Sequence, residues 1–572
     1  MNTFVSGRGW TALAAIVLSL IVGVSGADAE PSAEPVAESG WAGFSERLDE
    51  GVPAAIWAEA GGRPYAHRPD AEPNWTGPSG PTALADSLIA VLRDADRDGL
   101  RPGDYHVEIL DSLRTALRRD ARSGGGLNER QLADFELLAT DAFLLYGRHL
   151  LQGRVDPVEL TPTWTLSRRQ TDLLQRLEDA LEEGTIREAL YDLRPEQPGY
   201  ARLVEALRRY RRLAAEGGWP SVPDGPTLER GSEGDRVATL RARLRASGDR
   251  TGEEAATPAS FDETLERAVV RFQERHGLEA DGVVGPASLA ALNRPVEDRI
   301  RQIEVNLERW RWLPEDLGSR YVLVNIAGFH LRVMEEGTDV MQMRVVTGRP
   351  YRQTPVFSDQ ISYLSFSPYW HVPHSLATRD KLPDFQKNPA LVAQQSFDVF
   401  RGWEAGAQPV DPSTIDWQSL SAANFPYRLR QRPGPQNALG QVKFMFPNRH
   451  SVYLHDTPSR TLFERSERGF SSGCIRVERP AALAEYLLRD NEGWGPERIA
   501  AAMTQSQEQT VVLREKVPVH LLYWTAWVED GRIQFRGDVY QRDPGVAAAL
   551  AATPPPPKER IEAGGARLSP SP

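Results

Sequence analysis

The chain has 572 residues, 40% hydrophobic and 26% charged, with a formal net charge of -12. That length exceeds what one hydrophobic core organises, so two to four domains are expected. The composition excludes a chain disordered throughout and a polytopic membrane protein, and the acidic balance disfavours nucleic acid or an anionic membrane surface as the main partner.

At the N-terminus, Arg8 precedes an apolar run over 10–24, and Ala27-Asp28-Ala29 gives an A-x-A cleavage pattern. This predicts a secretory signal peptide over 1–29. An uncleaved anchor is the alternative, and only that form would touch a membrane. Either way the remainder is exported, and no later stretch has a comparable apolar run. The single cysteine, Cys474, excludes an intramolecular disulfide.

The Ala-, Glu- and Pro-rich stretch 30–40 reads as a flexible lead, with folding expected from Trp41. Apolar residues recur at helical spacing over 84–92, 132–151 and 203–213, so an α-helical domain is predicted over 41–218. Within it, Asp94, Asp96, Asp98 and Gly99 imitate the start of a calcium loop, but Tyr105 stands where a bidentate Glu is needed. We read this stretch as an acidic, solvated turn. His149, in a helix ended by Gly153 and Pro157, reads as structural.

A Pro- and Gly-rich connector over 217–226 precedes a compact unit at 227–294. Gly231 and Gly234 lead a helix with Val237, Leu240 and Leu244 on one face. A second helix holds Val269, Phe272 and Gln273, and Asp281-Gly282-Val283-Val284-Gly285-Pro286 opens a third. The order resembles the three-helix peptidoglycan-binding module, with its G-x-x-G, F-Q and D-G-x-x-G-P phrases, and the resemblance implies a cell-wall glycan ligand. The insertion over 248–259 departs from that pattern.

After an amphipathic helix over 299–313, ended by Pro314, the period changes. Short β-prone runs over 321–326, 330–334 and 341–346 open a mainly β domain expected over 299–540, with a long, Pro-rich, irregular insertion at 377–432 that reads as a lid. Glu529-Asp530-Gly531-Arg532 reads as a closing hairpin turn, and the proline-rich tail 552–572 as disordered.

Tyr453-Leu454-His455-Asp456 and Ser471-Ser472-Gly473-Cys474-Ile475-Arg476, with Cys474 nineteen residues on from His455, carry the chemistry. A thiol attacks acyl carbon well only when its proton is removed, and an imidazole suits that near neutral pH. Gly473 leaves room for a carbonyl substrate, and the N–H groups around Gly473 and Cys474 are candidates to hold an oxyanion. Arg476 favours thiolate or a substrate carboxylate.

The string resembles the L,D-transpeptidase motif, a histidine followed by [ST]-x-G-C-[IV]-R. Ser472 stands where many members carry a second histidine. Further likenesses are Val346-Thr347-Gly348-Arg349-Pro350, Pro368-Tyr369-Trp370-His371, and Asn437-Ala438-Leu439-Gly440 with Phe446-Pro447-Asn448. The domain order matches the large Gram-negative type, a multidomain α+β protein with a helical scaffold domain, a binding module and a mainly β catalytic domain with an inserted lid.

The resemblance implies a periplasmic, cofactor-free and metal-free enzyme. Cys474 would be the nucleophile and His455 its base, with Gly473, Ser471, Ser472 and Arg476 in support and Tyr453, Trp370, His371 and Asn448 as substrate contacts. Its partners would be peptidoglycan stem peptides and glycan, and carbapenems would inhibit it covalently. The reaction implied is 3→3 crosslinking with loss of the terminal D-Ala of a tetrapeptide donor.

An L,D-carboxypeptidase or other wall cysteine hydrolase is the nearest alternative, although wall cysteine peptidases generally place cysteine before histidine. A zinc hydrolase using His371, His374, His455 and Cys474 rests on inventory alone. A non-catalytic wall-binding scaffold leaves the 471–476 string unexplained.

Overall fold

The computed structural model describes residues 73–552, apart from 125, 162–163, 250–256 and 405. The expected signal peptide, the lead after it, the start of the helical domain, most of the 248–259 insertion and the tail after residue 552 lie outside the described residues.

Helices α1 (Ala83–Arg93), α2 (Val107–Ser123), α3 (Glu129–Gln152) and α4 (Leu173–Glu183) enclose one apolar core that includes Leu88, Leu92, Phe135 and Phe143. Side-chain caps set their starts, since Thr82 accepts from the N–H of Ala85 and Asn128 from that of Gln131. Asp98 corrects the expectation of a solvated acidic turn. It is fully buried, accepting from Tyr200 Oη at 2.9 Å and pairing with Arg194 at 2.6 Å. A buried carboxylate persists only with such partners.

Helix α5 (Pro198–Ala215) packs instead on the helix that opens the C-terminal region, and Leu203 and Leu207 share one core with the β-sheet beyond.

In α6 (Asp235–Ala246), α7 (Glu263–His276) and α8 (Pro286–Leu292), Val237, Leu240, Leu265 and Phe272 form a separate small core. Gln273 explains the F-Q and D-G phrases. Its amide nitrogen lies 2.8–3.0 Å from Asp281 Oδ1, Val283 O and Ser288 Oγ, sharing its two hydrogens among these three acceptors, and its oxygen accepts from the Gly282 N–H at 2.9 Å. Gly282 needs its freedom, at φ 75.

Helix α9 (Val296–Arg311) joins the domains. Arg311 and Glu308, one turn apart and with fully buried side chains, pair at 2.7 Å. Arg311 also donates to Asp98 O at 2.8 Å and Tyr200 Oη at 3.1 Å, while Glu308 accepts from the Val155 N–H at 2.6 Å.

The C-terminal region supplies strands β1 (Arg320–Asn325), β2 (His330–Glu335), β3 (Thr338–Gly348), β4 (Phe357–Phe366), β5 (Trp370–His371), β6 (Phe397–Arg401), β7 (Gln408–Val410), β8 (Tyr427–Gln431), β9 (Val442–Met445), β10 (Leu454–His455), β11 (Gly469–Ser471), β12 (Ile475–Val477) and β13 (Gln509–Leu522). Nine of them form a sheet ordered β11-β3-β12-β10-β9-β4-β13-β1-β2. A further pairing of β2 with β3 curls it into a closed barrel. The hairpin turn at Asp530 and Gly531 joins β14 (Ala526–Glu529) to β15 (Arg532–Phe535).

The insertion is not irregular, as its composition suggests, but a second fold within the domain. Strands β5, β8, β6 and β7 form an antiparallel sheet over its own core of Phe385, Phe397, Val399, Trp417 and Leu429. Helical segments His374–Leu376 and Leu382–Lys387 run into each other through a π-turn at Ala377–Lys381. Aromatic contacts at irregular spacing build this core, so neither a period of 2 nor one of 3.6 reveals it.

Candidate active site

The parallel pairing of β10 with β12 sets Leu454 against Ile475 and His455 against Arg476. Alternation along a strand then places Tyr453 and His455 on the same face as Cys474 and Arg476. All four line one cleft of about 950 Å³, open between the barrel and the lid. The nineteen-residue separation in sequence becomes neighbouring strands.

The turn before Cys474 is held by Ser471. Its hydroxyl accepts from the Gly473 N–H at 3.1 Å and donates to the Cys474 carbonyl at 2.5 Å. Thr354, fully buried, donates to the Gly473 carbonyl at 2.8 Å. Gly473 has φ 117, a conformation L side chains rarely adopt, which is why glycine precedes the thiol. Its N–H is therefore engaged within the turn, which corrects the expectation that it donates to an oxyanion.

His455 is buried, and its Nδ1 lies 2.5 Å from the Asp456 carbonyl. A carbonyl only accepts, so Nδ1 carries the hydrogen and Nε2 keeps the lone pair. Burial, reinforced by the charge of Arg476, lowers the imidazole to about 3, so the ring is neutral at ordinary pH. Burial pushes the half-buried Cys474 thiol up, while hydrogen bonds from Tyr453 and the charge of Arg476 pull the other way. On these shifts Cys474 is a thiol and His455 a neutral imidazole at rest.

Ser472, Trp370 and His371 also line the cleft. Asn448 does not, which corrects its reading as a substrate contact. Its side-chain nitrogen donates to Phe446 O and Val452 O at 2.5 and 2.7 Å, and its oxygen accepts from the N–H of His450 at 3.0 Å, so it ties a turn. The four side chains weighed as zinc ligands are not gathered, because His374 stands outside the cleft against Trp403 and Phe425. Among the described residues no group of three or more His, Cys, Asp or Glu side chains is placed to hold a metal ion.

Residues 319–513, which carry both His455 and Cys474, match the family model described as "L,D-transpeptidase catalytic domain". This region is thus an L,D-transpeptidase catalytic domain by its sequence match. Residues 63–207 match a model described as "Scaffold domain" and 233–292 one described as "Putative peptidoglycan binding domain". A Haemophilus influenzae protein named "Putative L,D-transpeptidase" is 35% identical over 243 residues, covering 42% of this chain and 48% of that protein. The zinc D-Ala-D-Ala carboxypeptidase of Streptomyces albus G is 38% identical over 72 residues, 13% of this chain and 28% of that one. The chain thus spans about half the length, or less, of these curated relatives. A crystal structure of an L,D-transpeptidase fragment from Xylanimonas cellulosilytica is 17% identical and covers 52% of this chain and 98% of that one, with a TM-score of 0.17.

Sequence reasoning missed several residues that line the cleft: Arg349 and Arg352 from the loop after β3, Ser375 from the short helix before the lid, and Arg379, Asp380 and Lys381 from the lid. Arg349 was visible as part of a family-like string, but no spacing signal relates 349–352 or 375–381 to Cys474. Among the described residues, no helix is long and apolar enough to cross a membrane.

Proposed function

We propose that this protein is an exported, periplasmic L,D-transpeptidase that forms 3→3 crosslinks between peptidoglycan stem peptides, with domains at 41–218, 227–294 and 299–540 and a lid at 377–432. The observation that carries the reading is the placement of Cys474, in the turn that enters β12, beside a buried, neutral His455 on the parallel neighbour β10, both lining one cleft. Cys474 Sγ attacks the carbonyl that joins the third stem residue to D-Ala, and its proton passes to His455 Nε2. As the C–N bond breaks, that proton goes to the D-Ala amine, leaving a thioester.

An amine on a second stem then attacks the thioester. It gives its proton to His455, the C–S bond breaks, and the thiol is restored as the new amide forms. With the Gly473 N–H engaged by Ser471, stabilisation of the oxyanion falls to the N–H of Cys474 and to the charge of Arg476. Carbapenems would acylate the same sulfur.

The test is incubation of native protein and Cys474→Ala with tetrapeptide muropeptides, followed by intact protein mass and product analysis. Release of D-Ala with 3→3 dimers from native protein alone is expected. Tripeptides without dimers would indicate an L,D-carboxypeptidase, and no change in either sample would indicate a wall-binding scaffold.

A further inference from the structure

The loop after β3 touches every residue of the turn that presents Cys474. The Arg349 N–H donates to Ser471 O at 3.1 Å, Arg352 Nη1 donates to Ser472 Oγ at 2.9 Å, and Thr354 Oγ1 donates to Gly473 O at 2.8 Å. This loop is itself stiff. The Gly348 N–H donates to Thr354 Oγ1 at 2.9 Å, and Tyr540 Oη donates to Gly348 O at 2.7 Å and accepts from the Thr354 N–H at 3.2 Å. A Cβ at Gly348 would lie 2.2 Å from the Arg352 carbonyl, so only glycine lets the loop close this tightly on itself.

Arg352 also faces away from the barrel. Its guanidinium grips both carboxylate oxygens of Asp380, at 2.5 and 2.9 Å. Asp380 belongs to the lid and lies within the π-turn Ala377–Lys381, a helical irregularity often found at functional positions. The Arg352 side chain is 15% exposed and that of Asp380 39%, so the fork is partly shielded from water. One side chain therefore bonds the lid on one side and, two residues before the thiol, the nucleophile turn on the other.

We propose that Arg352 is a positioning residue that couples the lid to the Cys474 turn, so that the seating of Asp380 against it sets how Cys474 is presented. The proposal rests on the reading of Cys474 as the nucleophile, and it concerns which residues transmit the lid's position, not the reaction itself.

Because the chain has a single cysteine, alkylation by iodoacetamide followed by intact mass of the full-length protein reads Cys474 alone. Asp380→Asn is expected to change that rate by roughly threefold or more in the native background, and to leave it unchanged once Arg352 is alanine. Arg352→Lys, which keeps a charged donor, retains part of the dependence. If Arg352→Ala does not fold, Ser472→Ala serves instead, since it removes the loop-side bond alone and must likewise abolish the effect of Asp380→Asn. A purely structural part for Arg352 would lower the melting temperature without making the effect of Asp380 depend on it. Equal effects of Asp380→Asn in all backgrounds, or none in native protein, overturn the proposal. Absence of D-Ala release from native muropeptides would overturn the proposed reaction and leave this alkylation cycle still readable.

Discussion

His455 stands opposite Arg476 in the parallel pairing of β10 with β12, and it is buried where Arg476 is only half-buried. Desolvation and the neighbouring guanidinium both disfavour the imidazolium, lowering the ring to about 3. A depressed histidine pKa means the ring is neutral above about 3 and protonated only below it. Cys474 alkylation should therefore rise with pH in a single limb above the ordinary thiol pKa of about 8.5, with no step near 6.5. Iodoacetamide rates from pH 5 to 10 check this, and a plateau between pH 5 and 8, the mark of a thiolate–imidazolium pair, would contradict it.

Ser471 is 2% exposed, and its hydroxyl bridges the Gly473 N–H and the Cys474 carbonyl. Ser471→Ala leaves that N–H unpaired in a buried turn, at a cost of about 1–3 kcal/mol borne locally. Turnover is expected to fall about tenfold or more while the melting temperature moves by only a few degrees. Native-like D-Ala release by this variant would show that the hydroxyl does not hold the nucleophile turn.

The Glu308–Arg311 pair is wholly buried where α9 meets the helical domain. Glu308→Gln keeps the volume but leaves the guanidinium without its carboxylate, so a loss of about 3–5 kcal/mol is expected. Urea denaturation of native and variant protein measures it. A difference below about 1 kcal/mol would mean that Asp98 O and Tyr200 Oη suffice for Arg311.

Glu136 is 2% exposed, and burial raises its carboxyl to about 7 despite hydrogen bonds from Thr76 Oγ1 at 2.7 Å and the Trp75 N–H at 3.0 Å. The folded state keeps a proton that the unfolded chain releases near pH 4.5. Its stability contribution is thus full below about 4.5 and lost as pH rises toward 7, on the order of 3 kcal/mol in all. Glu136→Gln should remove this fall, so that variant protein gains on native protein between pH 5 and pH 8 in paired thermal melts. Parallel curves for the two proteins would refute the assignment.

Much of the candidate site was legible in the chain. His455, Cys474 and the Ser-Ser-Gly-Cys-Ile-Arg string stand out in the sequence, and the structure brings them to one cleft with Gly473 at positive φ, because strand pairing and turn geometry here depend on local residues. The same holds for Gln273 and Asp281-Gly282, whose bonds close within ten residues.

The order within the lid, the burial of Asp98, the loss of Asn448 to its own turn and the reach of Arg352 from the barrel to Asp380 were not legible. Periodicity and turn chemistry report what a residue does with its near neighbours. The closure of the sheet by β2 on β3, and the packing of α9 on the sheet core while Arg311 reaches Asp98, decide which distant side chains meet. The sequence by itself determined the candidate pair of His455 and Cys474 and the module order, because those depend on short-range spacing. Tertiary structure alone decided the protonation state of His455 and the bond between lid and nucleophile turn, because burial and long-range contact exist only once the barrel has closed.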